Sequence, residues 1–144
     1  MPEVTLGKNC AGLDLVSATD RVVFDALVKS ADVLVHGYRP GALEGLGYDN
    51  ERLRALNPGL IDVSLNAYGW TGPWAGRRGF DSLVQMSSGI ADYGMAQSSA
   101  EKPVPLPVQA LDHATGYLMA ASVLYSLQVR NTTGKVLSAR LSLA

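Results

Sequence analysis

Between Ala31 and Pro73 the chain reads ADVLVHGYRPGALEGLGYDNERLRALNPGLIDVSLNAYGWTGP, a run that restricts the possible folds more than any other stretch. Val33 to Val35 is a continuous apolar segment breaking into His36-Gly37-Tyr38-Arg39-Pro40-Gly41, the pattern of a strand covered on both sheet faces. Leu60 to Leu65 is a second such segment. Between them Asn50 to Leu56 reads as a short helix that Asp49 or Asn50 can cap. Asn57-Pro58-Gly59 stops it, because proline lacks an amide donor and glycine accepts positive φ. Strand, helix, strand predicts a right-handed crossover in a parallel sheet. Ligands of such sheets collect at the carboxyl ends of the strands.

Leu13 to Leu15 reads as a short strand, and Ser17 starts a helix through Ala31 with Asp20 completing a capping-box-like beginning. Val23, Leu27 and Ala31, widened by Phe24 and Val28, form its apolar stripe, leaving Asp20, Asp25 and Lys29 for solvent. Tyr68 to Gly79 is rich in glycine and aromatics and reads as a loop. Helical character resumes from Phe80 to Ile90, and a second loop is expected from Gly94 to Pro107. Ala114 to Val129 is apolar nearly all round, which predicts a central buried helix. Gly134 ends the turn after it, and Val136 to Leu143 reads as a last strand. The expected architecture is α/β, a parallel sheet with flanking helices. It is incomplete at both ends, because the first strand has no preceding βα unit and the last has no helix to cover it.

With 144 residues, 47% hydrophobic and 17% charged, the chain fits one globular domain. A formal charge of −1 with scattered basic residues argues against a nucleic-acid partner. The single cysteine, Cys10, excludes an internal disulfide and fits a reduced, cytoplasmic compartment. The Met-Pro-Glu start shows no leader, and the apolar stretch around Leu118 to Leu127 is short for a bilayer, so no membrane association is expected. Two histidines and one cysteine without ligand spacing argue against a metal site. Asn131-Thr132-Thr133 fits a glycosylation sequon but reads as a polar turn after the helix.

Asp112, in Leu111-Asp112-His113-Ala114-Thr115-Gly116, lies where a loop enters the apolar helix. It can be an N-cap, a nucleophilic carboxylate, or both. His113 reads as a first-turn residue, since sequence neighbours on a helix point to different sides. His36 follows a buried strand and so stands where ligands collect, or makes a local turn hydrogen bond. Arg39, Arg77 and Arg78 are the candidate anion contacts. Asp81 can cap the helix that follows Gly79 or add a second carboxylate to a site shared with Asp112. No Gly-x-Ser-x-Gly elbow, P-loop or Gly-x-Gly-x-x-Gly is present.

Taken together, the Ala31 to Pro73 run, Gly79-Phe80-Asp81 with the helix behind it, the Asp112 to Gly116 segment and Thr133-Gly134 carry a resemblance. From about Gly7 to Leu143 the chain resembles the class III CoA-transferase family, also called CaiB/BaiF. The resemblance implies a Rossmann-like large domain, of which residues 1–144 would be the central part, and two chains interlocking as rings in a dimer. It implies transfer of CoA between carboxylic acids, with the CoA thioester as substrate and no permanently bound cofactor. Asp112 matches the family's catalytic aspartate, which forms an aspartyl anhydride and then an aspartyl-CoA thioester, while Asp81 would position or polarise it. His36, Gly37, Tyr38 and Arg39 match the CoA-lining turn, and Arg78 would add an anion contact.

Where the common pattern has Glu-Asn-Phe-Arg-Pro-Gly, this chain has His36-Gly37-Tyr38-Arg39-Pro40-Gly41, losing the asparagine. An arginine that some members place in the next helix is Gly45 here. Relatives that racemise 2-methylacyl-CoA use a histidine in the segment after Gly-Phe-Asp, and Phe80 to Tyr93 has none, so a racemase-like isomerase is a lesser alternative. Family members begin with another βα unit and continue into a small domain. The chain is therefore expected to act as a homodimer or with a complementing homologous chain, the alternative being a non-catalytic remnant or interaction subunit. Trp70, Trp74 and Met95 point only to an apolar or aromatic acid.

Overall fold

In the computed structural model of the chain the described residues are 6–144, and the Met1-Pro2-Glu3 start lies outside them. Their order is α1 (Ala18–Ser30), β1 (Val33–His36), α2 (Ala42–Gly45), α3 (Asn50–Leu56), β2 (Ile61–Asn66), α4 (Asp81–Ser87), α5 (Ile90–Ser98), α6 (Ala110–Thr133) and β3 (Ser138–Ser142). The strands form a parallel sheet in the order β1-β2-β3, with Val33 opposite Ile61 and Asp62 opposite Ser138. This is the α/β arrangement of parallel strands with flanking helices that the Ala31 to Pro73 run predicts.

Alternation along the strands divides the core into two layers. Ile61 and Val63, fully buried, pack with Met119, Val123 and Leu127 of α6 and with Ala139 and Leu141 of β3. On the other side Leu34 and Leu60 meet Val28, Leu43, Tyr48 and Leu53 from α1, α2, α3 and their connections. Phe24 packs edge-on against Tyr48 with ring centroids 4.8 Å apart. The inward face of α1 is thus Phe24 and Val28, whereas Val23 and Leu27 are about half exposed. Asp25 is no idle surface charge: it accepts the Tyr48 hydroxyl at 2.8 Å and pairs with Arg52 at 2.6 Å, tying α1 to α3.

Local chemistry explains the boundaries. Asp49 caps α3 by accepting the Arg52 N–H at 2.8 Å. Asn57, in the stop signal, donates to the carbonyls of Val28 and Ala31 and accepts the Gly59 N–H, joining the end of α1 to the entry of β2. Ser17 caps α1 through the Asp20 N–H, but Asp20 accepts from the Asp14 N–H instead of completing a capping box. Leu13 to Leu15 is accordingly no strand. Asp14 accepts the Val16 N–H with its carboxylate and the Ser17 N–H with its carbonyl, so turn bonding displaces sheet pairing.

Three further expectations are corrected. The helix beginning after Phe80 breaks at Ser88-Gly89, and α5 then carries the chain to Ser98, so Gly94 is helical. A Cβ at Gly94 would stand 2.1 Å from the Val104 carbonyl oxygen, because the following loop folds back onto α5, where the Val104 N–H meets the Ala91 carbonyl at 2.9 Å. The last helix runs from Ala110 to Thr133, includes Asn131 to Thr133, and ends at Gly134 with φ 72°. Nor is it buried all round. Thr115, Met119 and Ser126 face inward, while Tyr117, Leu118, Leu124 and Tyr125 are exposed, since the sheet covers one side only. Among the described residues no helix is long and apolar enough to cross a membrane.

Ile61→Ala is expected to destabilise the fold by about 2–5 kcal/mol, since Ile61 is fully buried between β1 and α6 contacts. Val23→Ala should change stability by less than about 0.5 kcal/mol. Chemical denaturation of both variants measures the contrast.

Candidate functional site

At the carboxyl ends of β1 and β2 lies a cleft of about 360 Å³, lined by Gly37, Tyr38, Arg39 and Pro40 on one side and Arg77, Arg78, Gly79 and Phe80 on the other, with Asn66 and Ala67 at its floor. The turn after β1 and the basic pair of the glycine-rich loop, far apart in sequence, thus meet. Arg77 lies over Trp74 at 5.0 Å and Trp74 packs edge-on to Tyr68, which orders the loop. Gly79 brings the loop back against β2: a Cβ there would come within 2.7 Å of the Ala67 methyl and 2.8 Å of the Tyr68 ring. Gly37 and Gly45 differ from it. A Cβ at Gly37 would make ordinary contact with Leu65, 3.7 Å away, and nothing lies within 4 Å of one at Gly45. Neither glycine is demanded by space.

His36 stands apart from the cleft. It occupies the other face of the sheet, with Nε2 3.4 Å from Asp62 Oδ1.

Immediately after Phe80 comes the site's second part. Asp81 is the first residue of α4 and 2% exposed. Its Oδ2 accepts the backbone N–H groups of Leu111 at 2.8 Å and Asp112 at 3.0 Å, and its Oδ1 accepts from Gln85 Nε2. The buried Gln85 in turn accepts the Leu106 N–H at 2.6 Å. One carboxylate and one amide therefore fix α4, the loop before α6, and the start of α6. Asp112 is not the N-cap: Gln109 holds that position without a side-chain bond, and Asp112 is the third residue of the helix. Capping comes from Asp81 across space, and it caps α6 instead of its own helix. Gln85 was not singled out in the sequence, although its place four residues after Asp81, on the same helical face, is the signal.

The two carboxyls are driven apart. Burial alone would raise the Asp81 carboxyl, but the bonds from Gln85, Asp112 and Leu111, helped by His113, hold it below the usual aspartate range. Asp112 moves the other way, raised by partial desolvation and then by the Asp81 charge, with His113 opposing. Asp112 and His113 also share one shallow depression with Gly116, Tyr117 and Ala120, so adjacent positions in the first turn do open on common ground. Among the described residues no group of three His, Cys, Asp or Glu side chains could hold a metal ion.

Comparison with known proteins places these residues in context. The family model described as CoA-transferase family III matches residues 2–144. The "Probable fatty acyl-CoA transferase Rv3272" of Mycobacterium tuberculosis is 36% identical over 128 residues, covering 89% of this chain and 32% of the relative. "Acetyl-CoA:oxalate CoA-transferase" of Acetobacter aceti is 36% identical over 135 residues, covering 92% and 34%. The "Succinyl-CoA--L-malate CoA-transferase beta subunit" of Chloroflexus aurantiacus is 35% identical over 130 residues, covering 89% and 31%. A crystal structure of Rv3272 superposes with a TM-score of 0.86 at 34% identity, covering 95% of this chain and 38% of that one. A CAIB/BAIF family protein from Brucella suis gives 0.76 at 30% identity, covering 91% and 34%. The chain spans about a third of the length of the curated relatives it matches.

Asp81→Ala leaves two N–H groups of α6 without their acceptor and should cost about 1–3 kcal/mol, with faster amide exchange at Leu111 and Asp112 in hydrogen-exchange NMR. Because the folded Asp81 carboxyl lies below its unfolded value, its contribution is present above the unfolded pKa and lost as pH falls through the folded one. Asp81→Asn should therefore lose less stability than the parent chain on acidification through the carboxylate range.

Proposed function

The chain belongs to CoA-transferase family III, and from that premise we propose that it carries the nucleophile and part of the CoA site of an enzyme moving CoA between carboxylic acids. One observation carries this reading. The buried Asp81 carboxylate fixes the first turn of α6 and so positions Asp112, whose carboxyl is raised from its ordinary value by partial desolvation and then by the Asp81 charge. A more basic carboxylate is a better nucleophile, while Asp81, kept ionised, supplies position and field.

In the proposed reaction an Asp112 carboxylate oxygen attacks the thioester carbonyl of the donor acyl-CoA, and the C–S bond breaks to release CoA thiolate, leaving an Asp112 mixed anhydride. The thiolate attacks the Asp112 carbonyl, expelling the donor carboxylate and forming an aspartyl-CoA thioester. The acceptor carboxylate attacks that thioester, re-forming thiolate and a new anhydride. Attack of the thiolate on the acceptor acyl carbon completes the new acyl-CoA and frees Asp112. No net proton is consumed. Arg39, Arg77 and Arg78 in the cleft suit the phosphates of CoA, for which guanidinium forks provide paired donors. Gly79, Phe80 and Asp81 run from this cleft to the start of α6.

Both covalent intermediates hydrolyse, yet Asp112 is exposed in this chain. The reaction thus calls for a covering partner. Tyr117, Leu118, Leu124 and Tyr125 form an exposed apolar stripe that begins one turn beyond Asp112, and we propose that a second copy of the chain, or a complementing homologous chain, covers it.

Mass spectrometry after incubation with acyl-CoA is expected to show a hydroxylamine-sensitive adduct on Asp112 in the covered assembly. Asp112→Asn should abolish the adduct with CoA binding retained, and loss of folding in that variant would favour a purely structural aspartate. The rate of adduct formation should fall as pH drops through the raised Asp112 pKa, earlier on the acid side than for an ordinary aspartate. Arg78→Ala, which removes a guanidinium from the cleft lining, is expected to fold normally and to weaken CoA binding measured by calorimetry; unchanged affinity would count against the assigned cleft.

A further inference from the structure

The face of the sheet opposite α6 holds a polar cavity that the proposed reaction does not use. His36, Asp62, Ser64 and Arg140 reach it from three adjacent strands, Trp70 lines it from the loop after β2, and the space is about 30 Å³. That exceeds the roughly 10–15 Å³ that a single water needs. His36 Nδ1, Asp62 Oδ1 and Trp70 Nε1 are buried there with no hydrogen-bond partner, and the 3.4 Å approach of His36 Nε2 to Asp62 Oδ1 is not aligned as a hydrogen bond.

An unbonded buried polar atom keeps the full cost of its desolvation, and three of them on residues that line one cavity point to a shared ligand. An indole N–H only donates, a carboxylate oxygen only accepts, and imidazole Nδ1 does either. Water satisfies all three at once. A cation would oppose Arg140, and an anion would oppose Asp62 and Glu44, which also line the space.

We propose that this cavity binds one ordered water bridging Trp70, Asp62 and His36, and that through it His36 is a positioning residue for the cleft. His36 stacks on Tyr38, with ring centroids 6.1 Å apart and planes 28° from parallel, and Tyr38 forms the cleft wall. At the far end Arg140 lies over the Trp70 ring at 5.0 Å. A line of contacts therefore runs from Arg140 through Trp70, the water and His36 to Tyr38. Only the consequence for CoA rests on the function proposed above.

Crystals of the 144-residue chain that diffract well enough to place solvent should show a water within about 3.2 Å of at least two of the three atoms. A dry cavity, or one closed by a direct Trp70 to Asp62 bond, overturns the site. Trp70→Phe removes the donor without touching the cleft, and Asp62→Asn is a second, milder variant. Both should shift the Tyr38 ring resonances by NMR with circular dichroism unchanged, and unmoved resonances in both overturn the positioning role. Calorimetry with CoA should then show several-fold weaker binding in both variants. Unaltered affinity beside a parent chain that binds also overturns it. A parent chain that fails to bind CoA counts against the cleft assignment alone, leaving the Tyr38 resonances to decide.

Discussion

The Asp81 carboxylate joins two parts of the chain that sequence keeps thirty residues apart. It lies at the start of α4 and accepts the N–H groups at the start of α6, which would otherwise be unpaired beneath the surface. Because Gln85 bonds both Asp81 and Leu106, the loop between α5 and α6 is held by the same group. The position of Asp112 follows from this contact, and the Asp81 charge adds to the desolvation that raises the Asp112 carboxyl.

The sheet supplies the other half of the site by alternation. Residues one apart on a strand lie on opposite faces, and at the end of β1 this separates two tasks. His36 turns toward Asp62 and a polar cavity, while the turn just beyond it, Gly37 to Pro40, lines the cleft. Gly79 then allows the basic loop to return close enough to oppose that turn. Departures from the family's common pattern fall into two kinds on this frame. Gly37 and Gly45 remove side chains where there is room for them, whereas His36 sits against a carboxylate of its own.

Exposure on α6 links the fold to the chemistry. A helix that is apolar nearly all round has more apolar surface than a three-stranded sheet can cover, and the excess lies beside Asp112. The exposed Asp112 carboxylate stands at the edge of an uncovered apolar stripe, so the nucleophile and the covering partner proposed above draw on one surface.

By itself the sequence determined the parallel pairing of β1 and β2, the α3 helix between them with its Asp49 cap and Asn57-Pro58-Gly59 stop, and the family. These depend on local periodicity, caps and turn residues, which act within a few positions of one another. It also singled out Asp81 and Asp112. Only the tertiary structure decided that Asp81 caps α6 instead of α4, that Gln85 belongs to the site, that His36 leaves the cleft, and that α6 is half exposed. Each of these depends on which backbone groups and which faces meet across long separations, and a helical or strand period fixes a side chain's face without saying what stands opposite it.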